Sequence, residues 1–130
     1  AARQCVAADR DVLTRDVRGL AGFLEGCFGL TIHRLSDDFA LARHGEVLIQ
    51  LHADATFSRH PLHDLLPENP PRGPGAQFYL FGIDPDLAAS RAEAHGGTVI
   101  EPPADKPHGL REATILSPEG YAFSPARGSA

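Results

Sequence analysis

The chain of 130 residues is long enough for one domain with a hydrophobic core and too short for two independent domains. It has 42% hydrophobic residues but no apolar run of the roughly 20 residues that a transmembrane helix needs, which argues against a membrane partner. Its net charge of -5, with 12 Lys and Arg residues scattered along the chain, argues against a nucleic-acid partner.

The first clear element is an amphipathic helix between Asp16 and Gly29. Asp16 is a residue type that caps helix starts, and Gly29 is the type that ends helices in the left-handed conformation. Five apolar residues between them recur at helical spacing, namely Leu20, Phe23, Leu24, Cys27 and Phe28. Strands are predicted on either side of this helix and in a following hairpin, at residues 11–15, 31–35, 39–43 and 46–52.

Residues 53–76 separate this first half from the second. The segment holds five prolines, two glycines and two histidines, which makes it too broken for a long element and longer than most connections. It is a linker, a lid over a site, or both. His60 and His63 would share one face of a helical turn, but two imidazoles without a third donor do not define a metal site.

The second half repeats the first. Asp84 and Pro85 begin a helix, and the distance from Asp84 to Gly97 is 13 positions, the same as from Asp16 to Gly29. Strands are predicted around and after it, at residues 77–83, 98–101, 111–116 and 121–125, with a proline-rich insertion at 102–109 of the kind that borders binding sites. Each half therefore has the order strand, helix, strand, strand, strand.

Three motifs of the second half carry a family resemblance. They are Arg91-Ala-Glu-Ala-His-Gly-Gly97, Gly109-Leu-Arg-Glu112 and Ser117-Pro-Glu-Gly-Tyr121. In this order, on two βαβββ units, they resemble the vicinal oxygen chelate superfamily, which includes glyoxalase I, extradiol dioxygenases and bleomycin-resistance proteins. The resemblance implies an α+β fold and a single domain over residues 1–130.

The same resemblance implies how the halves assemble. Module one covers about residues 9–52, module two covers about residues 77–126, and together they form a curved mixed sheet around a cavity. A homodimer is also implied, in which the modules pair within one chain or are exchanged between two copies.

Metal-dependent members of that superfamily carry His or Glu at four strand positions, because a divalent metal needs several donors that converge. In this chain those positions fall near Asp9, at Gln50, near Gln77 or Phe78, and at Ser124. Amide and hydroxyl groups are weak neutral donors, and a phenyl ring is none. We therefore expect no metal and no other cofactor.

The resemblance also implies that alternate strand residues line the cavity. We expect eight residues to contact a small organic molecule: His33, Phe39, Gln50, His52, Phe78, His108, Arg111 and Ser124. His33 and His52 have a second interpretation, as strand residues with a structural hydrogen bond. Six aromatic residues on predicted strands are either core or flat apolar walls for such a ligand, namely Phe39, Phe78, Tyr79, Phe81, Tyr121 and Phe123.

The N-terminal sequence and the two cysteines indicate a cytoplasmic protein. Residues 1–12 lack the basic start and apolar stretch of a secretory signal. Cys5 and Cys27 form no CxxC pair and are too few for a disulfide framework, so both are expected to be thiols. Cys27 belongs to the apolar stripe of the first helix and is expected in the core, while Cys5 is a candidate reactive thiol.

Three functions remain open from sequence. The first is a homodimeric binding protein that sequesters an antibiotic or a metabolite and has lost the metal ligands. The second is a metal-dependent enzyme, either a glyoxalase-like lyase or an extradiol-type dioxygenase, in which His33 or His52 joins an acidic side chain around the metal. The third is a partner-binding or regulatory domain with a vestigial pocket.

Overall fold

The structure is a computed structural model, and it describes residues 10–129. The sequence predictions for Cys5 and Asp9 lie outside these residues. The described residues form helices α1 (Val17–Phe28) and α2 (Pro85–Ala92) and eight strands: β1 (Asp11–Thr14), β2 (Thr31–His33), β3 (Phe39–His44), β4 (Val47–Ala53), β5 (Gly73–Phe81), β6 (Thr98–Asp105), β7 (Leu110–Leu116) and β8 (Tyr121–Gly128). Short 3₁₀ turns cover Asp54–Phe57, Pro61–Leu65 and Glu93–His95.

The strands form two four-stranded sheets of the same topology. The first has the order β1-β4-β3-β2, and the second has the order β5-β8-β7-β6. In each sheet the strand before the helix pairs parallel with the last strand of its module, and the other pairings are antiparallel. The predicted α+β fold of two βαβββ modules is confirmed, and the curved sheets are not closed into a barrel.

Local signals in the sequence set both ends of α1. The Asp16 carboxylate accepts a hydrogen bond from the backbone N–H of Gly19 at 2.9 Å, which satisfies a donor that has no partner within the helix. At the other end Gly29 has φ 74°, and its N–H donates to the carbonyl of Glu25. A side chain at this φ would be strained, so glycine ends the helix here.

One hydrophobic core joins the two modules through their helices. Phe123 on β8 lies 6.1 Å from Phe23 and 5.6 Å from Phe28, measured between ring centroids, and both of these residues are on α1. The buried Cys27 thiol donates to the carbonyl of Ala88 on α2 at 3.3 Å. Neither helix among residues 10–129 has the length and apolar character to cross a membrane.

A polar network holds the modules together beside this core. The buried Arg72 guanidinium makes two hydrogen bonds with the Asp54 carboxylate, at 2.6 and 2.7 Å, and lies 3.6 Å from Glu119. Glu119 also accepts from the hydroxyl of Thr14 and from the N–H of Arg15 at the end of β1. The β7–β8 turn, the segment after β4 and the end of β1 are thereby connected.

The expected proline-rich insertion is largely part of a strand. Strand β6 continues through Pro102 and Pro103 to Asp105, so that only a short turn at residues 106–109 leads into β7. A proline has no N–H for the ladder, but β6 is the edge strand of its sheet and its register shifts at this point. The insertion is therefore smaller than the sequence indicated.

Candidate functional site

Each sheet packs helices against one of its faces, and we call the opposite face the open face. The first open face belongs to the sheet β1-β4-β3-β2, and the second open face belongs to the sheet β5-β8-β7-β6. On β4 the side chains of Ile49 and Leu51 are buried on the helix side, so Gln50 and His52 point to the first open face. Phe39 is the cross-strand partner of His52. His33, at the end of β2, is exposed and belongs to the same face through its pairing with Leu41, the partner of Gln50.

His52 is the centre of the polar and aromatic contacts on the first open face. Its Nε2 atom donates to the amide oxygen of Gln50 at 3.2 Å and lies 3.7 Å from the carboxylate of Asp11. The rings of Phe39 and Phe57 meet the imidazole edge-on, with centroids 5.1 and 5.4 Å away. Phe57 belongs to the segment between the modules, so part of that segment contacts a residue of this face.

The second open face has a hydrogen-bonded bridge above β8. Tyr79 is the β5 partner of Ser124, and its hydroxyl donates to the Glu112 carboxylate on β7 at 2.9 Å. Because β8 lies between β5 and β7, the tyrosine ring must cross over β8 to reach Glu112. Ser124 is fully buried, and its hydroxyl has no hydrogen-bond partner among residues 10–129.

Glu112 is a buried carboxylate at the edge of this bridge. The residue is 5% exposed, and one of its oxygens has no hydrogen bond among the described residues. Nε2 of His108 lies 3.2 Å from that oxygen, which is within ion-pair distance but not aligned for a hydrogen bond. The hydrogen bond to Glu112, then burial and the nearby charges of Glu112 and Glu101, raise the pKa of Tyr79.

Beside Glu112 is a pair of exposed aromatic rings. Tyr79 and Phe81 are stacked with centroids 5.4 Å apart and an interplanar angle of 14°. Tyr79 is 40% exposed and Phe81 is 59% exposed, and phenylalanine in particular is a residue that is usually buried. The second open face therefore combines an uncovered aromatic surface with a buried negative charge.

Two expected ligand contacts face elsewhere. Phe78 packs in the core, stacked on Phe123 with ring centroids 5.2 Å apart. Its neighbour Gln77, on the other side of β5, lies on the open face instead. Arg111 is bonded to Asp86 at the start of α2 at 2.8 Å and lies 3.3 Å from Asp105. In the Gly-x-Arg-Glu motif, the arginine therefore connects β7 to α2, and the glutamate lies on the open face.

The sequence interpretation missed three residues of these faces: Asp11, Tyr79 as a polar group, and Glu112. Strand alternation through Phe123 and Ser124 would have placed Tyr79 beside Ser124 once the register of β5 was known. Nothing local indicates that the Tyr79 hydroxyl reaches Glu112, because the two residues are 33 positions apart.

Clefts elsewhere on the chain are lined by residues other than those of the open faces described above. A cleft of about 480 Å³ lies at the segment between the modules, and its lining includes Arg15, Asp54, His63, Glu68 and Arg72. Two others, of about 200 and 460 Å³, lie beside Gly19 and His95 and beside Thr98 and Val99. None of the eight expected ligand contacts lines any of these three clefts.

Comparisons with known proteins agree with the topology. A sequence profile of the glyoxalase/bleomycin resistance protein/dioxygenase superfamily matches residues 6–124. The chain belongs to this superfamily. No curated protein is significantly similar to it in sequence.

Several solved structures share its fold. A family enzyme from Burkholderia phytofirmans PsJN has a TM-score of 0.74 and 21% identity, over 93% of this chain and 99% of that chain. A lactoylglutathione lyase from Agrobacterium tumefaciens has a TM-score of 0.66 and 19% identity, over 95% and 94%. A hypothetical protein from S. aureus has a TM-score of 0.75 and 16% identity, over 94% and 93%. At these identities the similarity shows the fold alone.

The positions at which the sequence resemblance implies metal ligands carry side chains that suit a divalent ion poorly. Gln50 and Gln77 offer neutral amides, and the hydroxyl of Ser124 is buried beside the Tyr79 bridge. Asp9, at the first position, lies outside the described residues. Within residues 10–129, no three His, Cys, Asp or Glu side chains are grouped to hold a metal ion.

Proposed function

We propose that this member of the superfamily binds a small organic molecule, an antibiotic or a metabolite, and sequesters it without a catalytic metal. The open faces of the two sheets form the binding surface. The same proposal places the protein in the cytoplasm, where a buried free thiol such as Cys27 stays reduced.

The observation that carries this proposal is the chemistry of the open faces. The first combines Gln50 and His52 with the ring of Phe39, and the second exposes the rings of Tyr79 and Phe81. Such a mixture of flat apolar surface and a few polar groups is typical of sites for organic ligands. Sequestration requires affinity but no bond chemistry, which suits neutral side chains at the metal positions.

We propose further that the functional unit is a homodimer. Leu48, Tyr79 and Phe81 remain substantially exposed on the open faces of the single chain. A second copy that brings its open faces near these would enclose a cavity lined by the apolar side chains and shield them from bulk solvent. Analytical ultracentrifugation at micromolar concentration is expected to show a dimer, and a monomer at all concentrations would refute this assembly.

A thermal-shift screen with a broad set of small organic compounds tests the binding function. A ligand at 100 times its dissociation constant stabilises the folded state by about 2.7 kcal/mol, which is readily measured. Hits are then titrated against the variants Gln50→Ala and Phe81→Ala, which alter the open faces, and against Glu25→Gln on the exposed side of α1 as control.

We expect at least one open-face variant to weaken binding of a hit while the control binds like the wild type. A screen without any stabilising compound would contradict the binding function and favour a partner-binding domain. Hits that bind all three variants with equal affinity would indicate that the binding site lies outside the open faces.

An enzyme is the second candidate function, and one grouping favours it. Asp11, Gln50 and His52 bring a carboxylate, an amide and an imidazole together on the first open face. Elemental analysis of the purified protein, before and after chelation and metal add-back, separates the two functions. Stoichiometric zinc, nickel or iron that is lost in His52→Ala would refute sequestration without metal and support a lyase or dioxygenase.

A further inference from the structure

Glu112 is a negative charge held at the second open face with little compensation. Among residues 10–129, the basic group within ion-pair distance of Glu112 is the imidazole of His108, which is charged only when protonated, and no lysine or arginine pairs with it. One carboxylate oxygen accepts from Tyr79, and the other has no hydrogen bond among residues 10–129. A buried carboxylate with an unused oxygen is costly, and a donor with a positive charge would stabilise it.

His108 is placed so that it can be replaced by such a donor. It is 55% exposed at the side chain and lies in the turn at residues 106–109, outside the strands. The Tyr79 bridge and the β7–β8 pairing do not depend on it. Its imidazole can therefore turn into solvent and leave the unused oxygen of Glu112 to a ligand.

The exposed rings define the rest of the surface. Phe81 and Glu112 both pair with Ala126, so they lie in one cross-strand row. They are separated by two strand spacings, or about 10 Å, which is the width of a planar molecule of three fused rings. Exposed aromatic faces attract cations as well as flat rings.

The electrostatic environment of the rings has the matching sign. The hydrogen bond to Glu112 is the main cause of the raised pKa of Tyr79, followed by burial and then by the charges of Glu112 and of Glu101, which is itself paired with Lys106 at 2.7 Å. A negative potential that disfavours the phenolate favours a cation at the same place.

We propose that the second open face binds a planar aromatic cation, which extends the Tyr79–Phe81 stack and donates to Glu112 in place of His108. This rests on the proposed binding function and specifies its ligand class. Glu112 acts as the charge selector and the two rings act as the stacking surface.

Two probes of the same shape test the selection of charge. 9-Aminoacridine is a planar cation at pH 8, and acridine is its neutral analogue at that pH. Fluorescence titration of both probes is made with the wild type, Glu112→Gln, His108→Ala and Glu25→Gln. Glu112→Gln keeps an oxygen that accepts from Tyr79, and Glu25→Gln makes the same change of net charge away from the site.

In the wild type and in Glu25→Gln, we expect the cation to bind about tenfold more tightly than acridine, as a desolvated cation–π contact near a carboxylate predicts. Glu112→Gln is expected to bring this ratio to about threefold or less without changing acridine binding. His108→Ala is expected to keep or increase the ratio, because it uncovers the carboxylate.

Equal binding of the two probes to the wild type, or an unchanged ratio in Glu112→Gln, would overturn the selection of cations. The binding function would then still stand on the acridine titration or on hits of the compound screen. Sedimentation of each variant gives a further check, since a Glu112→Gln protein that has lost its dimer would show that Glu112 contacts a second copy instead of a ligand.

Discussion

Replacing Arg72 by methionine is expected to destabilise the protein far more than the same change at Arg18. Both arginines approach a carboxylate to 2.6 Å, but the Arg72 side chain is 3% exposed and the Arg18 side chain is 57% exposed. Without Arg72, the partly buried carboxylates of Asp54 and Glu119 lose their shared positive charge and repel each other. Removing one partner from a buried pair costs about 3–5 kcal/mol, whereas an exposed pair contributes about 0–1 kcal/mol.

Urea unfolding measures the difference directly. With a slope of about 2 kcal/mol per molar urea, Arg72→Met should lower the midpoint by about 1.5–2.5 M, and Arg18→Met by less than about 0.5 M. Salt should reduce the small effect at Arg18 and leave most of the effect at Arg72. Adding Asp54→Asn to Arg72→Met should recover part of the loss, because it removes one of the two carboxylates.

Equal destabilisation by the two methionine variants would refute this reasoning, because Arg72 is buried and makes two hydrogen bonds with its carboxylate, whereas Arg18 is exposed and makes one. A double variant that is less stable than Arg72→Met would also contradict it, since the loss would then come from packing rather than from charge.

Burial raises the pKa of the Cys27 thiol from its ordinary value of 9.0 to about 11, so the unfolded state ionises first as the pH rises. The free energy of unfolding is expected to be retained below pH 9 and to decrease by about 2–3 kcal/mol up to pH 11. In urea unfolding over this pH range, Cys27→Ala should show a smaller decrease. Equal decreases in the wild type and the variant would contradict the assignment of this pH dependence to Cys27. Gly22→Ala, with open space around the new methyl group on α1, is expected to stabilise by about 0.5–1 kcal/mol. Gly97→Ala would place a Cβ 2.5 Å from the Phe23 ring and is expected to destabilise the protein by about 1–3 kcal/mol. Thermal unfolding should therefore give a higher melting temperature for Gly22→Ala and a lower one for Gly97→Ala than for the wild type. Any other result would show that the core is packed more loosely than described.

The sequence by itself determined the elements whose signals are local. Asp16 and Gly29 fix the ends of α1 by a side-chain cap and a left-handed residue, within one helical turn of each end. The equal spacing from Asp84 to Gly97 then indicated the second module, and the family resemblance of the motifs in that module implied the α+β fold that the structure has. The sequence also shows that the side chains of Gln50 and Ser124 are neutral, because this depends only on the residue types at two positions.

The tertiary structure decided which face of each strand is open and what meets there. Alternation shows that Phe78 and Tyr79 point to opposite sides of β5, but both are aromatic, so the pattern cannot say which of them is buried. Packing of Phe78 on Phe123 decides it, and this turns Tyr79 outward over Ser124. The contact of Tyr79 with Glu112 joins residues on strands separated by β8, and such long-range pairing is set by sheet order rather than by any local pattern.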